Sequence, residues 1–406
     1  MTTSPAGMRG RAARTALPDR TTTSIHQLRT HDGATIHGHL HTVPGATTVV
    51  CLAHPRQDLT HHPIVAELLD RGYAVWTQGT RSVNNDIDLV HERALLDLAA
   101  GQYFLRELEF DLVVTLGHSG GGPLFAYYHE QAGRDPGQRQ ALTPAGRPTF
   151  LSEAAMPVPD AAVFLAAHPG QGALLLNMID PSVVDEADPM SIDPGLDLFN
   201  PANGFAPPPH VSRYPDVFIA RYRAAQRERV DRIDAMAKAI AAETAQARAE
   251  SSDRMRRLAC APRLLITYRT DADPRCIDLS LDPNDRSYGS LFGKRPDLTN
   301  YGLTGFGRIA TADAWLSTWS GLSSNAGFVR CAPGLSKPTL FLELTGDQAC
   351  TPSEAGAMFE AIGTSDKLRR RLPGTHFGAA LSDGEPSGIT LAATEIDHWL
   401  AERFCR

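Results

Sequence analysis

Short apolar runs that alternate with segments of helical periodicity constrain the fold of this chain more than any other feature. Residues 47–54, 73–78 and 111–118 are apolar runs of strand length. Residues 62–72 and 92–108 lie between and after them and carry apolar side chains at helical spacing. Strands that are apolar on both sides and are separated by helices form parallel sheets with both faces buried. The sequence therefore predicts an α/β fold, with a mostly parallel sheet flanked by helices.

The alternating pattern of residues 24–43 predicts a β-hairpin ahead of the parallel strands. Apolar and polar side chains alternate there around an Asp-Gly dipeptide, which favours a tight turn between two strands. His37, His39 and His41 share one strand face, where they either bind a metal or form a solvated polar face. The solvated face is the simpler interpretation, and we predict no metal site.

A long interruption divides the chain into a core and an inserted segment. The alternation stops near residue 172 and resumes at residue 338. Compact domains do not contain structureless loops of roughly 165 residues, so the interruption is expected to fold. We predict an α/β core at residues 24–172 and 336–406, a largely helical cap domain at residues 173–335 and a disordered tail at residues 1–23.

Two local patterns within residues 173–335 predict secondary structure. Residues 216–258 have helical periodicity with an apolar stripe that fades after Ile240. The far end of this helix is therefore either a solvated arm or a contact for a homodimer. Residues 263–270 and 276–281 are short apolar runs that predict a small hairpin.

The composition excludes several classes of protein. The 406 residues are 42% hydrophobic and carry 39 Lys+Arg against 46 Asp+Glu, a formal charge of −7 that provides no basic surface for nucleic acid. No apolar run approaches the roughly 20 residues of a membrane-spanning helix, and the first residues lack the apolar stretch of a secretory signal. A cytoplasmic protein is the prediction, with an organellar transit peptide as the alternative. Six cysteines without a CxxC pair predict free thiols.

Residues 117–121 read Gly-His-Ser-Gly-Gly, and this G-x-S-x-G pattern is the main chemical signal. It stands between a predicted strand and a helical segment, where a sharp turn exposes a serine as a nucleophile. Glycines on both sides of Ser119 keep side chains away from that turn. A glycine-rich phosphate loop is the alternative, but neither GK[ST] nor GxGxxG is present.

Two later residues can activate this serine. A serine hydroxyl becomes a good nucleophile when a base takes its proton and a third group orients the base. Asp347 directly follows the apolar run at residues 338–346, and His376 lies in a glycine-flanked loop further on, so that the order is Ser, Asp, His. An ordinary Gly-Asp turn is the alternative interpretation of Asp347.

Two backbone N–H groups are candidates for stabilising an oxyanion. The first belongs to Gly120, directly after the nucleophile, and its partner is expected in the loop after residues 47–54. Since Pro55 has no N–H, the second donor is predicted to be Arg56. His54 is interpreted as a structural hydrogen-bonding residue, with a catalytic base as the less favoured alternative.

At these residues the chain resembles the α/β-hydrolase superfamily. In that family a serine elbow, an acid after a later strand and a C-terminal histidine follow in this order, often with a cap inserted after the sixth strand. The resemblance implies that Ser119 is the nucleophile, Asp347 the acid and His376 the base, with no metal or organic cofactor. The residues around the acid depart from the usual family pattern, so Glu343 stays as a weaker candidate.

The predicted function is hydrolysis of a carboxylic ester or lactone of a bulky small molecule through an acyl-enzyme. A large cap favours an enclosed site for such a substrate. Amide, thioester or carbon–carbon bond hydrolysis and acyl transfer use the same residues, and a ligand-binding protein without activity is the alternative outside enzymes. The residues predicted to line the pocket are Gln57, His118, Trp315, Trp319, Phe328 and the loop of residues 166–172, which includes His168. The two tryptophans are four residues apart on one predicted helix face, and they can equally serve to join cap and core.

Overall fold

A computed structural model describes residues 16–404. Its centre is an eight-stranded sheet in the order β1-β2-β4-β3-β5-β6-β9-β10. The strands are β1 (Thr22–Arg29), β2 (Thr35–Thr42), β3 (Thr48–Ala53), β4 (Ala74–Gln78), β5 (Leu112–His118), β6 (Ala161–Leu165), β9 (Thr339–Gly346) and β10 (Lys367–Thr375). β2 is antiparallel to β1 and β4, and the pairs from β4 to β10 are parallel. The predicted hairpin and the mostly parallel sheet are confirmed.

Helices cover both faces of this sheet, as the apolar strands require. They are α1 (Ile64–Asp70), α2 (His91–Glu107), α3 (Gly121–Ala132), α10 (Pro352–Ala361) and α11 (Gly388–Arg403), whereas α4 (Gln171–Met178), which follows β6, packs in a separate apolar cluster. Side chains of α2, α3 and α10 share one apolar cluster with one sheet face, and side chains of α1 and α11 share a second cluster with the other. The central strands β3, β4, β5 and β6 are almost fully buried between these two layers, so β5 holds the residues that follow it rigidly in place.

Residues 173–335, here called the insert, contain one long helix and several short elements. The helices are α5 (Asp216–Ala249), α6 (Asp253–Cys260), α7 (Pro296–Thr299), α8 (Ala312–Ala314) and α9 (Phe328–Cys331), and the strands are β7 (Leu264–Ile266) and β8 (Ile309–Thr311). The predicted helix over 216–258 is interrupted before α6, where Ser252 caps a new helix by accepting the Met255 N–H. The predicted hairpin of residues 263–270 with 276–281 is wrong, because β7 pairs with β8 instead.

The insert has an apolar core that continues into α4. Leu174 and Leu175 of α4 pack with Val230 and Ile233 of α5 and with the tryptophans of residues 315–319 in one buried cluster. Since α4 follows the loop after β6, the insert is packed against the same end of the sheet as Ser119.

The start of the chain lies partly outside the described residues. Residues 1–15 of the predicted disordered tail belong to that part, and β1 begins at Thr22, two residues before the predicted core. Among the helices of residues 16–404, none has the length and apolarity that crossing a bilayer requires.

Candidate active site

Ser119 occupies a sharp turn between β5 and α3. Its φ of +54° lies in the left-handed region, a costly conformation for a serine that the surrounding structure enforces. A Cβ at Gly117 would lie 2.6 Å from the Gly121 carbonyl oxygen, and a Cβ at Gly121 would lie 2.4 Å from the Ala53 carbonyl oxygen. The two glycines of the motif are therefore required by close backbone contacts, as the sequence pattern predicts.

Ser119, His376 and Asp347 form a continuous hydrogen-bonded chain. The His376 Nε2 lies 2.9 Å from the Ser119 Oγ. The His376 Nδ1 lies 2.9 and 3.0 Å from the two carboxylate oxygens of Asp347. The three side chains are buried, and Ser119 is the most accessible of them at 8% exposure. The structure thus brings together the three residues that the sequence predicts as nucleophile, base and acid.

The carboxylate of Asp347 is fixed by the loop that follows β9. Its Oδ1 accepts the backbone N–H groups of Ala349 at 2.6 Å and Cys350 at 3.1 Å. The backbone carbonyl of Asp347 accepts a hydrogen bond of 2.8 Å from the Asn284 side chain of the insert. The acid is therefore held by its own loop and by the insert.

Glu343, the weaker candidate for the acid, is engaged elsewhere. It lies within β9 and pairs with Arg369 at 2.5 Å and with Arg371 at 3.1 Å, both on the neighbouring strand β10. These ion pairs give Glu343 a role in joining two strands, whereas Asp347 faces the histidine.

His118 and His62 support the backbone of His376. The His118 Nε2 donates to the His376 carbonyl oxygen at 2.9 Å, which leaves its Nδ1 as an acceptor for the His62 Nε2 at 3.1 Å. His62 in turn accepts the Ile64 N–H at Nδ1, at 3.3 Å. Burial lowers the pKa of His118 to about 4, with a further contribution from the nearby His376. His118 is thus a neutral positioning residue, and it does not line the pocket as predicted.

The loop after β3 is organised around the His54 ring. The His54 Nδ1 accepts the N–H of Arg56 at 3.1 Å and the N–H of Gln57 at 3.0 Å. The prediction that the Arg56 N–H points at the oxyanion is therefore corrected, because this N–H is directed at His54. The interpretation of His54 as a hydrogen-bonding residue of this loop agrees with the geometry. Burial, with the Arg56 charge as a second cause, holds the pKa of His54 well below its ordinary value.

The Arg56 side chain, unlike its N–H, faces the site. Its Nε and Nη2 form a two-point ion pair with Asp86 at 2.8 and 2.5 Å. The guanidinium carbon lies 5.3 Å from the centre of the Phe306 ring and 5.5 Å from that of Trp319. Ion pair and aromatic contacts place a fixed cation at the wall of the site.

A small cavity of about 20 Å³ lies over Ser119. It is lined by His54, Arg56, Gln57, Ser119, His168, Gln171, Leu174, Leu291, Phe306, His376 and Phe377. Gln57 and His168 are therefore found where the sequence predicts them. Among the described residues that line it, none is acidic. Within residues 16–404, no three His, Cys, Asp or Glu side chains are grouped so as to hold a metal ion.

Trp315 and Trp319 do not line this cavity, which corrects their predicted role. Both are fully buried inside the insert, where residues 315–319 form a wide helical turn instead of a regular α-helix. The Trp315 Nε1 donates to the Asp234 carboxylate at 2.7 Å, and the Trp319 ring backs the Arg56 and Phe306 side chains that do line the cavity. Their packing holds the insert together and supports the wall from behind.

Several residues of the site were not predicted from the sequence. Leu291 and Phe306 line the cavity, and His62 supports His118. Gln171 lies in the loop of residues 166–172 that the sequence predicts at the pocket, and it does line the cavity. Phe328, also predicted there, is instead fully buried in the core. Leu291 and Phe306 lie in irregular parts of the insert, where no sequence pattern marks them.

No protein-family model matches this sequence, and no curated protein matches it. Among solved structures, the hypothetical protein PA2218 from Pseudomonas aeruginosa is similar with a TM-score of 0.51 and 11% identity, over 100% of this chain and 98% of that one. DcsB in complex with its substrate analogue is similar with a TM-score of 0.50 and 12% identity, over 95% and 100% of the two chains. The α/β hydrolase GrgF from Penicillium sp. sh18 has a TM-score of 0.49 and 13% identity, over 94% and 98%.

These likenesses concern the fold, because the sequences have diverged too far to transfer a function. An eight-stranded, mostly parallel sheet with helices on both faces and a serine turn after β5 is the arrangement that the resemblance to α/β hydrolases implies. The chain has the α/β-hydrolase fold.

Proposed function

We propose that this protein is a serine hydrolase that cleaves a carboxylic ester or lactone through an acyl-enzyme on Ser119. The observation that carries the proposal is the unbroken chain of hydrogen bonds from Ser119 Oγ through His376 to Asp347, at a strained turn that opens into a cavity. A serine in this arrangement is activated, because the imidazole can accept its proton and the carboxylate holds the imidazole in the required tautomer.

The geometry assigns each step of the reaction to an atom. The Ser119 Oγ attacks the acyl carbon while the His376 Nε2 takes the hydroxyl proton. Asp347 stabilises the imidazolium through the His376 Nδ1–H, and the same Nε2 then gives its proton to the leaving alcohol. Water attacks the acyl-enzyme in a second round of the same proton transfers, which releases the acid and restores Ser119.

The cavity favours a small acyl group. Its volume of about 20 Å³ holds about one water molecule, so a substrate enters only when the side chains over Ser119 move apart, and Leu174, Leu291 and Phe306 supply apolar walls. A bulky substrate, as the length of the insert predicts, would have to keep its larger part outside the cavity, where Phe377 is 43% exposed. A short acyl group attached to a larger alcohol fits this shape.

Covalent labelling tests the proposal directly. Intact-protein mass is measured after incubation with a fluorophosphonate for the wild type, Ser119→Ala and His376→Ala. We expect one adduct on the wild type, none on Ser119→Ala and slow labelling of His376→Ala. In parallel, p-nitrophenyl esters of rising acyl length are expected to be turned over fastest when the acyl chain is short. A folded wild type that neither labels nor turns over any ester would favour a ligand-binding role instead.

Acyl transfer is the alternative within the same chemistry, since the acyl-enzyme can pass its acyl group to an alcohol in place of water. Product analysis with added alcohols separates the two outcomes. Amide and thioester substrates enter the same panel, because the catalytic residues do not determine the leaving group.

A further inference from the structure

In the loop after β3, residues 55–57 have no backbone N–H that is free to bind an oxyanion. Pro55 carries none, and those of Arg56 and Gln57 are both directed at the His54 Nδ1. Hydrolysis at Ser119 nevertheless generates negative charge on the acyl oxygen, because the carbonyl π pair moves to that oxygen when the Oγ–carbon bond forms. A second donor must therefore come from elsewhere.

The contacts that engage the loop N–H groups also determine that the His54 ring carries an N–H of its own. A ring nitrogen that accepts two N–H groups carries no proton, so the proton of the neutral imidazole is on Nε2. His54 lines the cavity over Ser119 and is only 3% exposed. Its Nε2–H is thus fixed in tautomer and direction by the loop, and it faces the reaction site.

Gln171 provides a second side-chain donor in the same place. It is 3% exposed and lines the same cavity. Within residues 16–404, neither polar atom of its amide makes a hydrogen bond of acceptable length and angle, although the His91 side chain, whose Nε2 is also unsatisfied, lies beside it. A buried amide without a well-formed hydrogen bond is disfavoured, and such groups in native proteins often mark a position that a ligand completes.

The two donors converge on the residue after the nucleophile. A Cβ built on Gly120 would lie 2.2 Å from the Gln171 Nε2 and 2.7 Å from the His54 Nε2. The His168 Nε2 is next, at 3.2 Å, and its Nδ1 accepts the Gly170 N–H, so this ring also presents an N–H. The absence of a side chain at Gly120 lets these nitrogens pack directly against the residue after the nucleophile, and none of the described residues that line the cavity is acidic.

We propose that the oxyanion of the tetrahedral intermediate is bound by side chains, the His54 Nε2–H and the Gln171 amide, together with the Gly120 N–H. In this assignment Arg56 contributes no backbone donor. A neutral imidazole N–H is an effective electrophile at a carbonyl oxygen, and a preorganised donor in a buried site is effective because it needs no reorientation during the reaction. The inference rests on the proposed hydrolysis at Ser119.

The two side chains allow variants that separate donation from loop structure. In His54→Asn, the Asn Oδ1 lies near the position of the His54 Nδ1 and can accept the same two backbone N–H groups, since asparagine favours this type of turn. The variant therefore keeps the loop and loses the N–H that reaches Gly120. Gln171→Leu has nearly the same shape as the wild type and removes an amide without a well-formed hydrogen bond, so it should fold as well as the wild type.

The experiment compares kcat, KM and thermal unfolding of the wild type, His54→Asn, Gln171→Leu and the control Tyr128→Phe, which removes a buried hydroxyl outside the cavity. Loss of one oxyanion donor typically lowers kcat by about 10²–10³-fold, and we expect this loss in both site variants with little change in KM. The melting temperature of Gln171→Leu should equal that of the wild type. Tyr128→Phe should keep wild-type kcat.

A transition-state analogue provides the independent readout. A short-chain alkyl trifluoromethyl ketone forms a hemiketal with the serine, and the resulting oxyanion occupies the same space. Its inhibition constant should rise in each variant by the factor by which kcat/KM falls, a correlation that a merely structural role would not produce. Folded variants that keep kcat and the inhibition constant within threefold of the wild type would overturn the inference while the hydrolase function stands. A wild type without labelling or turnover would overturn both.

Discussion

The buried histidine of α3 predicts how the stability of this protein depends on pH. His129 is 2% exposed, and its Nε2 lies 2.8 Å from the Thr115 Oγ1 on the buried strand β5. Burial, with the nearby Lys337 charge as a second cause, lowers its pKa from 6.5 to about 3. Between these two values the unfolded chain binds a proton that the folded protein does not bind. The free energy of unfolding must therefore fall as the pH falls below 6.5.

The size of this effect follows from the proton balance. One proton bound only by the unfolded state changes the free energy of unfolding by about 1.36 kcal/mol per pH unit. Between pH 8 and pH 5, only the interval below the ordinary pKa of 6.5 counts, which is about 1.5 pH units. His129 alone should therefore lower the free energy of unfolding by about 2 kcal/mol. This value depends little on the exact folded pKa, since pH 5 is well above it.

The assay is urea unfolding of the wild type and His129→Gln at pH 8, 7, 6 and 5. Glutamine retains a polar contact for Thr115 but does not titrate. The wild type should lose about 2 kcal/mol more than the variant between pH 8 and pH 5, whereas a constant loss of packing cancels from the comparison. Tyr128→Phe, on the same helix, should lose stability equally at every pH and keep the wild-type dependence. Parallel curves for the wild type and His129→Gln would refute the reasoning.

Three further outcomes follow from the site. Asp347→Asn should lower kcat by about 10⁴-fold with a nearly unchanged fold, because it presents the wrong partner to the His376 Nδ1–H; a loss below tenfold in steady-state kinetics would argue against Asp347 as the acid. His118→Leu should reduce the free energy of unfolding by about 1–3 kcal/mol in urea, since it leaves the His376 carbonyl buried without its donor. Trp315→Phe should lower the free energy of unfolding by about 1–3 kcal/mol, because its hydrogen bond to Asp234 is lost, and KM should stay constant. A raised KM at unchanged stability would instead indicate that Trp315 lines the pocket.

The parts of the site that the sequence predicts correctly are those encoded by neighbouring residues. The strand, glycines and helix around Ser119 form one continuous local pattern, and the order of Asp347 and His376 behind it follows the strands that carry them. Local patterns of this kind predict the site correctly because a buried strand fixes the position of the residues at its end.

The parts that the sequence does not predict depend on contacts between distant segments. The donor role of the Arg56 N–H was inferred from the lack of an N–H at Pro55, but the ring of His54 captures that N–H. The spacing of Trp315 and Trp319 indicates a shared helix face, but it does not indicate which residues pack against that face. In the structure both tryptophans pack in the core of the insert. The pairing of β7 with β8 joins residues more than forty positions apart, beyond the reach of any hairpin pattern.

The hydrogen bond from Asn284 to the backbone of Asp347 connects the insert, which lines part of the cavity, with the position of the acid. Gln348, directly after the acid, donates in turn to the carbonyls of Ser287 and Gly289 in the insert, at 3.1 and 3.0 Å. A movement that lifts this part of the insert must break these bonds and free the loop that holds the carboxylate. Because a ligand stabilises the conformation to which it binds, a molecule enclosed under the insert also stabilises the acid in place. Binding in the cavity and the correct position of Asp347 beside His376 are thus thermodynamically linked. When the cavity is empty and the insert has moved away, Ser119 would be a weaker nucleophile and would react more slowly with unrelated electrophiles.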